Sequence, residues 1–260
     1  MMKLYLIITF LCCSLIAMGQ GQIKRPQKNI PEFHGQKTKL DIEPKLEISA
    51  PDGVINNKGY VDLGLPSGTL WAVTNLGASA PEEEGQMYGW ADPIGNIHTD
   101  NDSDYPSGTP PMNICGNIQY DAASRNWGHP WSMPDANQVK ELINFCKWKR
   151  YERNGNNGVL VIGPNNKTIF IPSVPHRSLG HWTGTKWERK ELVPSNNGEL
   201  NCGGHYYSGE LKFDKDNPTD LRPYVLWFAY NYSEQGQLGA SLFRSSEVHI
   251  RPVCKLEYGY

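Results

Sequence analysis

The stretch from Tyr120 to Arg150 constrains the fold more than any other, because its pattern predicts two helices joined by a tryptophan-rich turn. The first helix is expected over about residues 120–127, and Gly128 should end it. The second helix should begin after Asp135, whose side chain can cap the helix while Gln138 completes a variant of the capping box. Both helices are therefore predicted from local signals alone.

One face of the second helix is apolar at the i, i+3, i+4, i+7 spacing that indicates a buried surface. That spacing is occupied by Val139, Leu142, Ile143 and Cys146. Trp127 and Trp131 flank the turn between the helices, and we expect both rings to fill the space between the helices and a sheet. We interpret the whole stretch as scaffold.

Hairpins are predicted on both sides of the helices along the chain. Residues 60–63 and 69–73 form two extended runs around a Pro-Ser-Gly turn. Residues 159–162 and 168–171 are β-branched runs on either side of a turn rich in Gly, Pro and Asn. Further strands are predicted over residues 205–208, 224–230 and 248–253. Helices together with antiparallel hairpins indicate an α+β fold with long loops.

Length and composition limit the class of protein. The chain has 260 residues, of which 38% are hydrophobic, and this suits one globular domain with an extension. A formal net charge of -2 argues against nucleic acid as a partner, because such partners require a broad basic surface. The 26 Gly, 19 Pro and 8 Trp residues are typical of loop-rich extracellular binding domains.

The first residues have the pattern of an export signal. An apolar run, Leu4–Ile16, precedes small residues at the positions that signal peptidase requires for cleavage after Gly19, so residues 1–19 are predicted to be a signal peptide. The run is short for a bilayer span, and we expect no transmembrane segment in the mature chain. A membrane anchor is one alternative, and a lipoprotein, suggested by Cys12 and Cys13, is another.

The remaining chain divides into a linker and a domain. Residues 20–57 are polar, rich in Lys, Gln and Pro, and show no persistent period, so they are predicted to be a linker. The pattern changes at about residue 58, and residues 58–260 are predicted to form the domain.

Four cysteines would remain after cleavage. They are Cys115, Cys146, Cys202 and Cys254. In an exported chain they allow two disulfides in three connectivities, and buried thiols are the alternative. No CxxC spacing occurs, so a zinc ribbon is not expected.

Several ordered motifs resemble one protein family. They are Val61–Ala72, Tyr120–Ala123, Trp131–Pro134, Ile169–Pro172 and Arg251–Val253. In this order they are similar to the Fibrobacter succinogenes major paralogous domain, a family abundant in secreted Bacteroidetes proteins. The resemblance implies a C-type-lectin-like domain, in which the terminal strands pair and long loops project from a sheet beside two helices.

The resemblance also implies a location and a general role. It covers about residues 60–254, and it departs from the family at Thr74, where Cys is frequent, and at Ser132, where Arg is frequent. We expect the chain to be exported and to be secreted, periplasmic or on the outer-membrane surface of a Gram-negative bacterium. Adhesion or ligand display is the role that the family suggests.

The resemblance further suggests a disulfide pairing. Cys115 and Cys202 look like additions to the family pattern, so we predict that they pair with each other. Cys146 would then pair with Cys254. Each bridge would constrain the unfolded chain by about 3–5 kcal/mol of loop-closure entropy.

Catalytic and metal-binding patterns are weak in this sequence. It contains no HExxH, no G-x-S-x-G and no phosphate-binding loop. The acidic run over residues 100–104 lacks the Gly and Glu that an EF-hand requires. His176, His181 and His205 have no accompanying carboxylate at a metal-binding spacing, and the usual lectin calcium motifs are absent. We predict no metal, no cofactor and no catalytic activity.

Aromatic and basic side chains in the loops are the better functional candidates. The predicted ligand-binding residues are Trp182, Trp187, Arg189, His205, Tyr230, Tyr232 and Arg244. Aromatic rings offer apolar faces with polar edges, and Arg adds directed donors. Trp227 and Tyr206 are instead interpreted as core residues.

The sequence therefore predicts a non-enzymatic binding module at the cell surface, whose partner is a glycan or a surface protein. Two alternatives remain open. The first is a structural or assembly subunit that binds another surface protein. The second is an enzyme, because the same fold clan, to which the resemblance points, includes formylglycine-generating enzymes.

Overall fold

The computed structural model describes residues 47–95, 110–175, 203–218, 221–229 and 233–256. The chain divides into two compact units, Met1–Lys45 and Leu46–Tyr260, and every described residue belongs to the second unit. The predicted signal peptide and most of the predicted linker lie outside the described residues.

Both predicted helices are confirmed. Helix α1 spans Ala122–Trp127, and the Asp121 carboxylate caps it by accepting a hydrogen bond from Ser124 N at 3.0 Å. Helix α2 spans Ala136–Phe145 and begins with a full capping box. Asp135 Oδ1 accepts from Gln138 N at 2.8 Å, while Asp135 N donates to Gln138 Oε1 at 2.9 Å.

Ten strands are formed within the described residues. They are β1 (Gly53–Ile55), β2 (Lys58–Asp62), β3 (Leu70–Ala72), β4 (Lys147–Arg153), β5 (Asn156–Ile162), β6 (Thr168–Pro172), β7 (Gly203–Lys212), β8 (Arg222–Ala229), β9 (Ser233–Gly239) and β10 (Val253–Cys254). They build three sheets, ordered β1-β2-β3-β10, β4-β5-β6 and β7-β8-β9. All named strand pairs are antiparallel. The described part of the chain is therefore α+β.

The strand predictions agree with the structure in part. The hairpins β2–β3 and β5–β6 form as predicted. Strand β1 lies inside the span 20–57 that was predicted as a linker, and it pairs with β2. Strand β4 was not predicted, because its sequence KWKRYER is mostly charged and has no local strand pattern. Its extended conformation is stabilised by antiparallel pairing with β5. Strand β9 was not predicted either, and the last strand, Val253–Cys254, shares only Val253 with the predicted 248–253.

Two apolar clusters fill the interior. The first joins α2 to the second sheet and to one face of the third sheet, with Val139, Leu142, Val161, Ile169, Tyr206, Leu226 and Phe228 among its members. The second contains both turn tryptophans, Trp127 and Trp131, whose rings meet edge to face at 5.1 Å. The expectation that these rings fill internal space is confirmed, since both are buried.

A buried arginine links the first two sheets. The Arg251 guanidinium donates to the carbonyls of Ala72 at 3.1 Å and Val73 at 2.6 Å, at the end of β3. It also donates to the Phe170 carbonyl of β6 at 2.8 Å. Burial lowers the pKa of Arg251 to about 10, so the side chain stays charged at neutral pH and satisfies three carbonyls at once.

Candidate functional site

The third sheet carries the candidate site, because successive residues of a strand point to opposite faces. On one face, Tyr206, Leu226 and Phe228 belong to the first apolar cluster. On the other face, His205 of β7 is the register partner of Trp227 in β8, and Trp227 is the partner of Gln237 in β9. We call His205, Trp227 and Gln237 the outer row.

All three side chains of the outer row are half-buried. The Trp227 ring packs against the second apolar cluster on one side. Its other neighbour is Gly239, where a Cβ would lie 3.1 Å from Trp227 Nε1. The glycine therefore leaves room for the indole, which stands between an imidazole and a carboxamide on neighbouring strands.

The same face continues toward Tyr207, where it is covered. The Tyr207 hydroxyl lies 2.8 Å from the carbonyls of both Phe243 and Ser246. The segment 243–246, which holds Arg244, therefore lies over this face of the sheet. The structure thus brings two predicted binding elements, His205 and the segment of Arg244, to one face.

The other five predicted binding residues, Trp182, Trp187, Arg189, Tyr230 and Tyr232, lie outside the described residues. Trp182, Trp187 and Arg189 belong to the stretch 176–202, and Tyr230 and Tyr232 belong to the stretch 230–232. The described residues on either side of the first stretch are in contact. Val174 N donates to the Gly203 carbonyl at 3.0 Å, so the chain leaves and returns at one place.

The second stretch joins the same end of the sheet. Gly203 is the register partner of Ala229, and Ala229 is the partner of Ser233. Both stretches therefore connect to the end of the third sheet that carries the outer row, since His205 is two residues from Gly203 and Trp227 is two residues from Ala229.

Sequence reasoning missed two residues of the outer row. Tyr206 is a core residue as predicted, with 2% of its surface exposed. Trp227 was also interpreted as core, and this is wrong in part because its ring is only half-buried. Gln237 was not considered, because β9 was not predicted. Alternation along β8 is the signal that separates Trp227 from its buried neighbours Leu226 and Phe228.

The predicted disulfide between Cys146 and Cys254 is not formed. Both are free thiols, and they belong to different clusters: Cys146 lies at the end of α2 in the first cluster, and Cys254 lies on β10 in the second. Cys115 is also a free thiol, and its predicted partner Cys202 lies outside the described residues.

The electrostatic environment keeps these thiols protonated. Burial raises the pKa of Cys146 to about 12 and that of Cys254 to about 11. Burial also raises the pKa of Cys115 far above its ordinary value, and the carboxylates of Asp121 and Asp135 act in the same direction. Because the thiolate is the nucleophile and the metal ligand, these cysteines are chemically quiet at neutral pH.

No group of three or more His, Cys, Asp or Glu side chains suited to a metal ion occurs within the described ranges. His205 belongs to those ranges, whereas His176, His181 and the acidic run 100–104 do not. The outer row itself places an imidazole and a carboxamide beside an aromatic ring.

Comparison with known proteins gives no match: no family model, no curated protein and no solved structure matches the chain. The fold assignment therefore depends on the described elements themselves, two helices and three antiparallel sheets. None of the helices in that part of the chain is both long and apolar enough to span a bilayer.

Proposed function

We propose that the chain is an exported, non-enzymatic binding module of the C-type-lectin-like class. It binds carbohydrate, or another ligand on a cell surface, through the outer row and the aromatic stretches that join the same end of the third sheet. The resemblance to the Fibrobacter succinogenes major paralogous domain and the pattern of residues 1–19 support export and the surface location.

The outer row is the observation that carries this proposal. A half-buried indole presents a flat apolar face that can stack on the C–H face of a sugar ring. His205 and Gln237, on the strands at either side of Trp227, supply hydrogen-bond donors and acceptors for hydroxyl groups. Rigid strands hold all three, so little conformational entropy is lost when a ligand binds.

Two further features support the class and the non-enzymatic role. Strand β10, the last described strand, joins the sheet of the first three strands by pairing with β3, so the two ends of the described domain share one sheet, which supports a lectin-like domain. The cysteines that the structure describes are protonated thiols, which favours a structural part for them over a nucleophilic one.

A glycan array with purified wild-type protein and Trp227→Ala tests the proposal. We expect glycan binding by the wild type and about a fivefold or greater loss of affinity in Trp227→Ala, because stacking contributes about 1 kcal/mol or more. Phe213→Ala is the matched control, since Phe213 is an aromatic residue that is 65% exposed and lies just after the end of β7, outside the outer row. Equal binding by wild type and Trp227→Ala would contradict the proposal.

The same array tests whether the loop residues predicted from the sequence contribute to glycan binding. Trp182→Ala and Trp187→Ala should each weaken glycan binding if their segment contributes to the site. If no glycan binds, and a purified surface protein binds in a Trp227-dependent manner, the assembly-subunit alternative is favoured. A chelator-sensitive turnover of any array component would favour the enzyme alternative.

A further inference from the structure

A concave surface lies on the first sheet, and no residue of the outer row lines it. It is a cleft of about 450 Å³ where the β2–β3 turn, the β5–β6 turn and the residues after β10 meet. A cleft of this size is in the range of small-molecule sites. No residue of β7, β8 or β9 lines it. We call it the terminal-strand cleft, and its walls include Tyr60, Asp62, Leu70, Lys167 and Lys255.

Two charged side chains of the cleft neutralise each other. The Lys167 ammonium donates to Asp52 Oδ1. The other oxygen of Asp52 accepts a hydrogen bond from Asp62 N at 2.8 Å. Both oxygens of Asp52 are therefore used within the protein, and this pair forms a fixed wall of the cleft.

Three other polar groups of the cleft have unused hydrogen-bonding capacity. Asp62 Oδ1 accepts from Gly64 N at 2.8 Å, while Asp62 Oδ2 has no donor among the described residues. The Lys255 ammonium is exposed, and within the same ranges neither it nor the Tyr60 hydroxyl has a bonding partner. The cleft thus offers a free acceptor, a free cationic donor and a phenol.

Apolar surface lies between these groups. Leu70 is 5% exposed, and Leu256, which is 41% exposed, forms part of the wall. The Tyr60 ring is half-buried, and a Cβ on Gly53 would lie 2.5 Å from its hydroxyl oxygen, so the absence of a side chain at Gly53 leaves room for the phenol. An aromatic ring, a leucine wall and three convergent polar groups make a site that can position a ligand.

From these contacts we infer that the terminal-strand cleft binds a neutral polyhydroxylated ligand, a saccharide unit. The two aspartates and two lysines of the cleft sum to zero charge, so neither a polyanion nor a polycation is favoured. A sugar hydroxyl can donate to Asp62 and accept from Lys255, and it loses less hydration free energy than a charged group would. The sugar ring can lie against Tyr60 and Leu70.

This inference does not depend on the outer row. A saccharide bound in the cleft would be a second point of attachment on one chain. Two linked sites raise the effective affinity for a polymeric glycan without any additional contact at either site.

The test is protein-observed NMR of the full labelled chain with the methyl glycosides of glucose, galactose, mannose and N-acetylglucosamine as probes. We expect at least one glycoside to shift the backbone amides of Asp62, Gly68 and Lys255 in a saturable manner. Asp62→Asn and Lys255→Ala should each weaken that binding about tenfold, because each removes one charge-assisted hydrogen bond. Asn at position 62 keeps an acceptor for Gly64 N, so the turn should stay intact.

Matched controls distinguish this site from the outer row. Asp216→Asn and Lys149→Ala, which change exposed residues outside the cleft, should leave the shifts unchanged. Trp227→Ala should also leave them unchanged, so that a failure at the outer row and a failure at the cleft are separate results. The inference is overturned if no glycoside shifts the cleft amides, if Asp62→Asn binds as the wild type does, or if only a zwitterion such as diglycine binds.

Discussion

The two faces of the third sheet are built from alternate residues of the same strands, and at the outer row they differ in burial and polarity. On the inner face, Phe228 is 1% exposed and its ring stacks with Tyr206 at 6.4 Å. Trp148 of β4 lies 6.3 Å from the same ring. On the outer face, one residue along the chain, Trp227 is half-buried between two polar side chains.

The comparison shows how one strand can serve stability and recognition together. Side chains on the inner face are enclosed by protein, so the space available to each one is fixed by its neighbours. The three side chains of the outer row are half-buried, so they can change with a smaller loss of stability. We therefore expect substitutions on the inner face to act on unfolding and those in the outer row to act on binding.

The largest contrast is expected between Phe228→Ala and Trp227→Ala. Removal of the buried Phe228 ring should lower the free energy of unfolding by about 3–5 kcal/mol, because it leaves a cavity between β4 and the third sheet. Removal of the half-buried Trp227 ring should cost less, about 2 kcal/mol, because part of the ring is already in contact with solvent. Urea unfolding of both variants measures the difference in free energy of unfolding. Equal losses in the two variants would contradict the proposed difference between the inner face and the outer row.

A smaller effect is expected from His249, whose ring lies 6.3 Å from that of Tyr206 and is buried. Burial lowers the pKa of His249 to about 4 from an ordinary value of 6.5, against the opposing effect of the Glu84 and Pro175 carbonyls. The unfolded chain therefore takes up the proton first as pH falls. The stabilisation from the neutral, buried His249 is therefore fully present above pH 6.5. As the pH falls from 6.5 to about 4, the free energy of unfolding should decrease by about 3 kcal/mol in total.

Urea unfolding of wild type and His249→Gln across this pH window measures that contribution. The variant has no group that titrates at this position, so its loss of stability on acidification should be smaller than that of the wild type. If both proteins lose stability in parallel, the titration of His249 does not contribute.

The smallest effect on stability is expected from Gln237→Ala in the outer row. The change should alter the free energy of unfolding by no more than about 0.5 kcal/mol, because the side chain lies at the surface of the sheet. It should nevertheless weaken binding of any glycan that depends on Trp227, by about fivefold through the loss of one hydrogen bond. Gln235→Ala is a poorer control, since Gln235 Nε2 donates to the Ile143 carbonyl at 2.7 Å; Lys149→Ala is preferable.

Local signals account for the parts of the fold that were predicted. The caps of both helices are short-range contacts between residues three positions apart, and Asp135 and Gln138 make the bonds that their spacing indicates. The β5–β6 hairpin is also local, since its turn and its apolar runs adjoin each other in the sequence. Strand β4 is different, because its charged sequence becomes extended only when β5 pairs with it.

The candidate site was less accessible to prediction. His205 was among the predicted ligand-binding residues, but its neighbours Trp227 and Gln237 come from strands that follow it at separations of 22 and 32 residues. Such partners are set by strand register, which a single sequence does not reveal. The disulfide pairing of Cys146 with Cys254 failed for the same reason, because the fold places them in different clusters.

The sequence alone determined that two helices form, where α2 begins, where two hairpins turn and which face of α2 is buried, because each depends on residues within a few positions of one another; it did not predict that α2 ends at Phe145, just before β4. Tertiary structure alone decided that Trp227 stands beside His205 and Gln237, that Asp62 and Lys255 share a cleft, and that Arg251 bridges two sheets. These contacts join residues far apart in the chain, and their distances are set by how the sheets pair and pack.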